Sequence, residues 1–159
     1  MLLGKKRKIG RMIEEISVGE KLEVTEKIDD RELLLYLGIS NDNNPLFIQH
    51  DYASLTPFKK PIVPQIMLLA IVTGAISKYL PGPGSSVKKQ EVDFLNPVYH
   101  YESVQFGFEV IDVNNQDHEI TVKVEGENEE GTVILNGQFV VCPPYPTKPL
   151  TKTTSFENF

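Results

Sequence analysis

The stretch Pro64-Gln65-Ile66-Met67-Leu68-Leu69-Ala70-Ile71-Val72-Thr73-Gly74-Ala75-Ile76-Ser77-Lys78-Tyr79-Leu80 decides the fold. Proline suits the first position of a helix, where its missing N–H would have no partner. The apolar side chains from Ile66 to Leu80 then cover nearly every face. A helix that is apolar all round is expected to be buried. The run is shorter than the roughly 20 residues of a membrane-spanning helix and is bracketed by prolines, so it reads as a core helix. Pro81-Gly82-Pro83-Gly84-Ser85-Ser86 ends it. That turn lacks the spacing of a phosphate-cradling loop.

The residues after this helix read as strands. Val87 to Leu95 is the first, with Val92 and Phe94 expected on one side. Val104, Phe106, Phe108 and Val110 alternate, as do Ile120, Val122 and Val124. Val133, Leu135, Phe139 and Val141 mark the last. Asn114 to Asp117 and Asn128 to Gly131 supply the turns. Ahead of the helix, Lys21 to Ile28 alternates as another strand. One buried helix and several antiparallel strands define an α+β chain, in which a curved antiparallel sheet wraps around the helix.

A length of 159 residues suits one domain with a sizeable core. The expected divisions are a basic arm over 1–15, the domain over 16–142 and an extended tail over 143–159, where Tyr145 and Phe156 are candidates to dock on a neighbour. The arm carries Lys5, Lys6, Arg7, Lys8 and Arg11; without them 11 basic residues face 22 acidic ones. Such an acidic body argues against nucleic-acid binding. The arm itself reads either as an anion contact or as a solvated terminus. Cys142 is the single cysteine, so no internal disulfide forms and a cytoplasmic setting is expected. No apolar run suggests a membrane segment or signal peptide. His50, His100 and His118 are scattered without ligand spacing, so neither a metal site nor a cofactor is expected. His100 and His118 read as structural or exposed.

Between the first strand and the long helix, Asp29 and Asp30 offer caps for a short helix through Leu37, with Gly38 as its stop. Then follows Ser40-Asn41-Asp42-Asn43-Asn44-Pro45-Leu46-Phe47. Pro45 breaks any continuous helix there, and His50 to Leu55 suits one or two further helical turns. This motif resembles that of the MaoC-like, (R)-specific enoyl-CoA hydratase family, in which Asp-x-Asn-Pro-x-His supplies the catalytic pair. The resemblance continues through Ala53, Phe58, Lys60, Pro61, Ile62, Ile66 and Met67 without a gap. Leu80-Pro81-Gly82 and Phe94-Leu95-Asn96-Pro97-Val98 look like later family motifs. It runs over roughly Ile16 to Cys142, and it implies the hot-dog fold, a sheet wrapped around a central helix.

The resemblance also implies a chemistry. An Asp and a His hold water against the double bond of an enoyl thioester, and N–H groups at the start of the central helix stabilise the thioester oxygen. Asp42 holds the Asp position, but Phe47 stands where the family has His. Pro64-Gln65 replaces His-Gly, and Tyr101-Glu102 replaces Gly-Asp. The implied site is Asp42 as catalytic residue with His50 as candidate partner, and Ser40, Asn44 and Pro45 orienting the motif. Phe47, Phe58 and Ile62 line the pocket, and the Gln65 and Ile66 backbone forms the oxyanion site. Asp42 equally reads as an Asx-turn residue, and His50 as a surface residue. The implied ligand is an acyl-CoA or acyl carrier protein thioester. Hydratase or dehydratase activity stands beside two alternatives: a non-catalytic subunit in a heterodimer, and a hot-dog thioesterase. A homodimer is expected, because a free sheet edge would invite aggregation.

Overall fold

The structure is a computed structural model that describes residues 8–147. Its elements are β1 (Lys21–Lys27), α1 (Asp30–Ser40), α2 (Pro45–Ile48), α3 (His50–Ser54) and α4 (Gln65–Tyr79), then β2 (Ser86–Phe94), β3 (Ser103–Asn114), β4 (Glu119–Asn128) and β5 (Val133–Cys142). The strands form one antiparallel sheet in the order β1-β3-β4-β5-β2. Irregular pairings at Val87/Lys89, Val110/Asp112 and Gly126/Glu127 interrupt the register. Bulges of this kind bend strands and increase their twist.

The core lies between this sheet and α4. Phe106, Phe108 and Val110 of β3, with Ile120, Val122 and Val124 of β4, are essentially inaccessible. Met67, Leu68, Val72, Ala75 and Ile76 of α4 are buried in the same cluster. The helix is not buried on every side, however. Ile66 and Tyr79 are about half exposed, at 51% and 57%. A single sheet covers one side of a helix; the opposite side faces a cavity and solvent. The helix also begins one residue later than expected, with Pro64 as N-cap. In β2, Phe94 is exposed and does not share the half-buried position of Val92.

Two ends differ from their expected limits. Ile13, in a short 3₁₀ turn, belongs to the core cluster, so the packed body reaches beyond Ile16 towards the N-terminus. Gly10 and Arg11 donate backbone hydrogen bonds to Pro83 and Pro81 across the turn that follows α4. Arg11 also pairs with Glu20. Lys5, Lys6, Arg7 and Phe156 lie outside the described residues. Tyr145 stacks on His118 of the same chain, with ring centroids 4.1 Å apart. Cys142 is buried, as a small apolar residue would be.

α1 opens on a capping box: Asp29 accepts from the Arg31 N–H, and Glu32 accepts from the Asp29 N–H. It runs past Gly38 to Ser40, and Asn41 terminates it at φ 52°. Asn tolerates that left-handed conformation, so the glycine is not needed there.

Two glycines should therefore respond oppositely to alanine. Nothing lies within 4 Å of a Cβ built at Gly38, so Gly38→Ala should stabilise by about 0.5–1 kcal/mol. A Cβ at Gly126 would meet the buried Phe106 ring at 2.8 Å, so Gly126→Ala should destabilise by about 1–3 kcal/mol. Thermal unfolding should place the two variants on opposite sides of the parent protein.

Candidate active site

The segment between α1 and α2 folds around the side chains of its own motif. Ser40 Oγ donates to the Tyr36 carbonyl (2.7 Å) and accepts from the Asp42 N–H (3.2 Å). Asp42 Oδ1 accepts from the Asn44 N–H at 2.9 Å, closing an Asx turn. Asn44 Oδ1 accepts from the Leu46 N–H at 3.0 Å and caps α2, with Pro45 in its first turn. Ser40, Asn44 and Pro45 thus fix the local backbone.

The remaining carboxylate oxygen has a partner that the motif did not suggest. The Tyr36 hydroxyl donates to Asp42 Oδ2 at 2.6 Å. Such a length is typical of an O–H bond to an ionised carboxylate. The Tyr36 hydroxyl, and after it the Asn44 N–H, hold the Asp42 carboxyl below the usual carboxylate range. The same bond raises the Tyr36 phenol above its ordinary value, with burial adding to it. At neutral pH Asp42 is thus ionised and Tyr36 keeps its proton. Tyr36 lies six residues ahead of Asp42, one helical turn plus the left-handed cap. In the amino-acid string it is simply one more apolar position of α1.

Phe47 is buried, and its ring meets Tyr36 edge-on at 6.5 Å. His50 is exposed at the start of α3. His100 sits with its two ring nitrogens buried near the backbone of Phe47 and Ile62, without a hydrogen bond of good geometry among the described residues. Burial pushes its imidazole below its ordinary value, against the opposing pull of Asp30. Tyr101 stands at φ 71°, a conformation that glycine enters freely. Its N–H bonds the Ile28 carbonyl and its hydroxyl bonds Asp30 at 2.6 Å.

Two cavities flank α4. The larger, about 480 Å³, lies between α1, β1 and α4; Val24, Tyr36, Ile39, Ile66, Ile71 and Tyr79 are among its walls. The smaller, about 280 Å³, gathers Phe58, Ile62, Gln65 and Leu68 against Phe94 and Leu95. The structure thus joins Phe58 and Ile62 to Gln65, and Ile66 to Tyr36. Asp42, Phe47 and His50 line neither cavity. At the start of α4 the Met67 N–H bonds the Pro64 carbonyl, while those of Gln65 and Ile66 make no hydrogen bond among the described residues. No cluster of potential metal ligands exists among the described residues, and none of their helices is long and apolar enough to cross a membrane.

A single antiparallel sheet curved against one central helix defines a hot-dog protein. The family model "MaoC like domain" matches residues 14–133, and the chain belongs to that family. The (R)-specific enoyl-CoA hydratase of Aeromonas caviae is 27% identical over 129 residues, covering 81% of this chain and 96% of that protein. The unliganded R-hydratase PhaJ1 of Pseudomonas aeruginosa superposes with a TM-score of 0.79 at 28% identity, covering 86% of this chain and 88% of that one. A chain of the ChsH1-ChsH2 complex of Mycobacterium tuberculosis shares the fold at 24% identity, with a TM-score of 0.71 over 80% of this chain and 98% of that one.

His100 gives a pH test. Its folded-state value is depressed below 6.5, so the unfolded chain binds more protons in that window. Stability should be intact above the ordinary histidine range and fall as pH drops through it towards the depressed value. His100→Phe should flatten this part of a urea-unfolding profile, whereas an unchanged slope would assign it to other groups.

Proposed function

We propose that this chain binds acyl thioesters of CoA or acyl carrier protein and is of the (R)-specific enoyl-thioester hydratase/dehydratase type, with an altered active site. The observation that carries this reading is the Asp42 turn. The motif is folded, its carboxylate is ionised, and its one side-chain partner among the described residues is a phenol on the wall of a largely apolar cavity. Its similarity to (R)-specific enoyl-CoA hydratases supports the substrate class. The free N–H groups of Gln65 and Ile66 suit a thioester oxygen as it gains charge. Pro64 donates none there, and the Gln65 side chain narrows the approach.

A second reading has its own support. In this reading Phe47, a buried aromatic ring, takes the place of the family's imidazole, which suits a non-catalytic subunit whose partner chain supplies the chemistry. Either form pairs with another hot-dog chain in this proposal, as a homodimer or a heterodimer. Strands β1 and β2 are the sheet's edges, and unpaired edges invite association.

Loss of enoyl absorbance from crotonyl-CoA separates the readings. Under the hydratase reading the parent protein turns over, and Asp42→Ala lowers kcat by about 10²–10⁴-fold. Phe47→His should raise the rate if the surrounding pocket is intact. Under the subunit reading the parent shows no turnover with CoA or carrier-protein substrates of any chain length, yet still binds saturated acyl thioesters.

A further inference from the structure

The Asp42 carboxylate has one oxygen engaged by the Asn44 N–H and the other by the Tyr36 hydroxyl. It lines neither cavity beside α4, whereas Tyr36 lines the larger one together with Ile66. The contact between Asp42 and that cavity therefore runs through Tyr36. Phe47, edge-on to the same ring, brings no atom able to carry a proton. His50 is exposed, and both nitrogens of His100 are sealed from solvent.

We propose that Tyr36 is the second catalytic group of this site and performs the proton transfer for which Phe47 is unfit. This rests on the hydratase reading above. Water in the cavity donates a proton to the Tyr36 oxygen while Tyr36 passes its own proton to Asp42 Oδ2. The water oxygen bonds the β carbon of the enoyl thioester, and the double-bond electron pair moves through the α carbon onto the thioester oxygen. Asp42 then returns its proton to Tyr36, which delivers one to the α carbon as the enolate collapses. One water has been added across the double bond, and both side chains end as they began.

The arrangement suits a relay. The proton rests on the phenol between turnovers, because the carboxylate is the stronger acid of the pair. A 2.6 Å separation is short enough for direct transfer. A Tyr36 that only braced the Asp42 turn would be needed whatever residue stood at position 47. A Tyr36 that carries the proton becomes dispensable once an imidazole is restored there.

Four proteins test this: the parent, Tyr36→Phe, Phe47→His and the double variant. Each is assayed for crotonyl-CoA hydration and, by calorimetry, for affinity towards saturated butyryl-CoA. Tyr36→Phe should lower kcat by about 10²-fold or more while butyryl-CoA affinity stays within about twofold. The double variant should recover to within about tenfold of Phe47→His. Unchanged turnover in Tyr36→Phe overturns the proposal and leaves the hydratase reading standing. A double variant as inactive as Tyr36→Phe, beside an active Phe47→His, also overturns it and reduces Tyr36 to a positioning residue. A parent protein that binds butyryl-CoA yet hydrates nothing removes the hydratase reading, and this proposal with it.

Discussion

Everything in this molecule depends on the contact between α4 and the concave face of the sheet. Met67, Leu68, Val72, Ala75 and Ile76 lie against a surface in which Phe106, Phe108, Phe139 and their neighbours are excluded from water. Fully burying one such large side chain contributes roughly 1.5–3 kcal/mol. A typical hydrogen bond contributes about 0.5–1.5 kcal/mol net. The motif turn, held mainly by hydrogen bonds, is thus carried by the core instead of holding it together. Besides the Tyr36 bond, the bond from Ile62 N–H to the Leu46 carbonyl ties it to the segment before α4, which Val63 N–H in turn ties to the Val98 carbonyl. Through them the start of α4 stands at a set distance from Asp42.

The aromatic residues and the histidine around the motif have separate physical consequences. Tyr101 occupies a left-handed backbone position and offsets that conformation with bonds to Ile28 and Asp30. Its neighbour His100 is half-buried, with both ring nitrogens turned away from water beside Phe47. Phe47 offers no titratable group, while the Tyr36 hydroxyl bonds the Asp42 carboxylate. The acidic turn is thus flanked by aromatic residues.

The strands and the long helix were legible because their side-chain periods report burial directly. Val104 to Val110 and Ile120 to Val124 alternate, and each apolar member is buried as its period demands. Asp42 to Pro45 was legible too, since an Asx turn, a cap and a proline act locally. Features made by the third dimension were not. The exposed side of α4 depends on what the sheet leaves uncovered. The burial of Ile13 depends on a chain segment folding back over a distant turn. Tyr36 is the clearest example. Its partner lies beyond a helix end that Gly38 seemed to mark earlier, so the continued helix and the left-handed Asn41 had to be known first. His100 was equally hidden, because nothing local shows whether a histidine's nitrogens reach water.

α1 contributes no fully buried residue, and Leu34, Leu35 and Ile39 lie largely open. It nevertheless forms one wall of the larger cavity and carries Tyr36. A helix with so little buried apolar surface sits at the low end of the molecule's range of local opening free energies. Its amides should exchange with solvent ahead of those in β3 and β4. An apolar chain filling the cavity would give α1 the packing partner that it lacks. Part of the binding free energy would then go into ordering this helix, so the measured affinity would report helix α1 as much as the ligand.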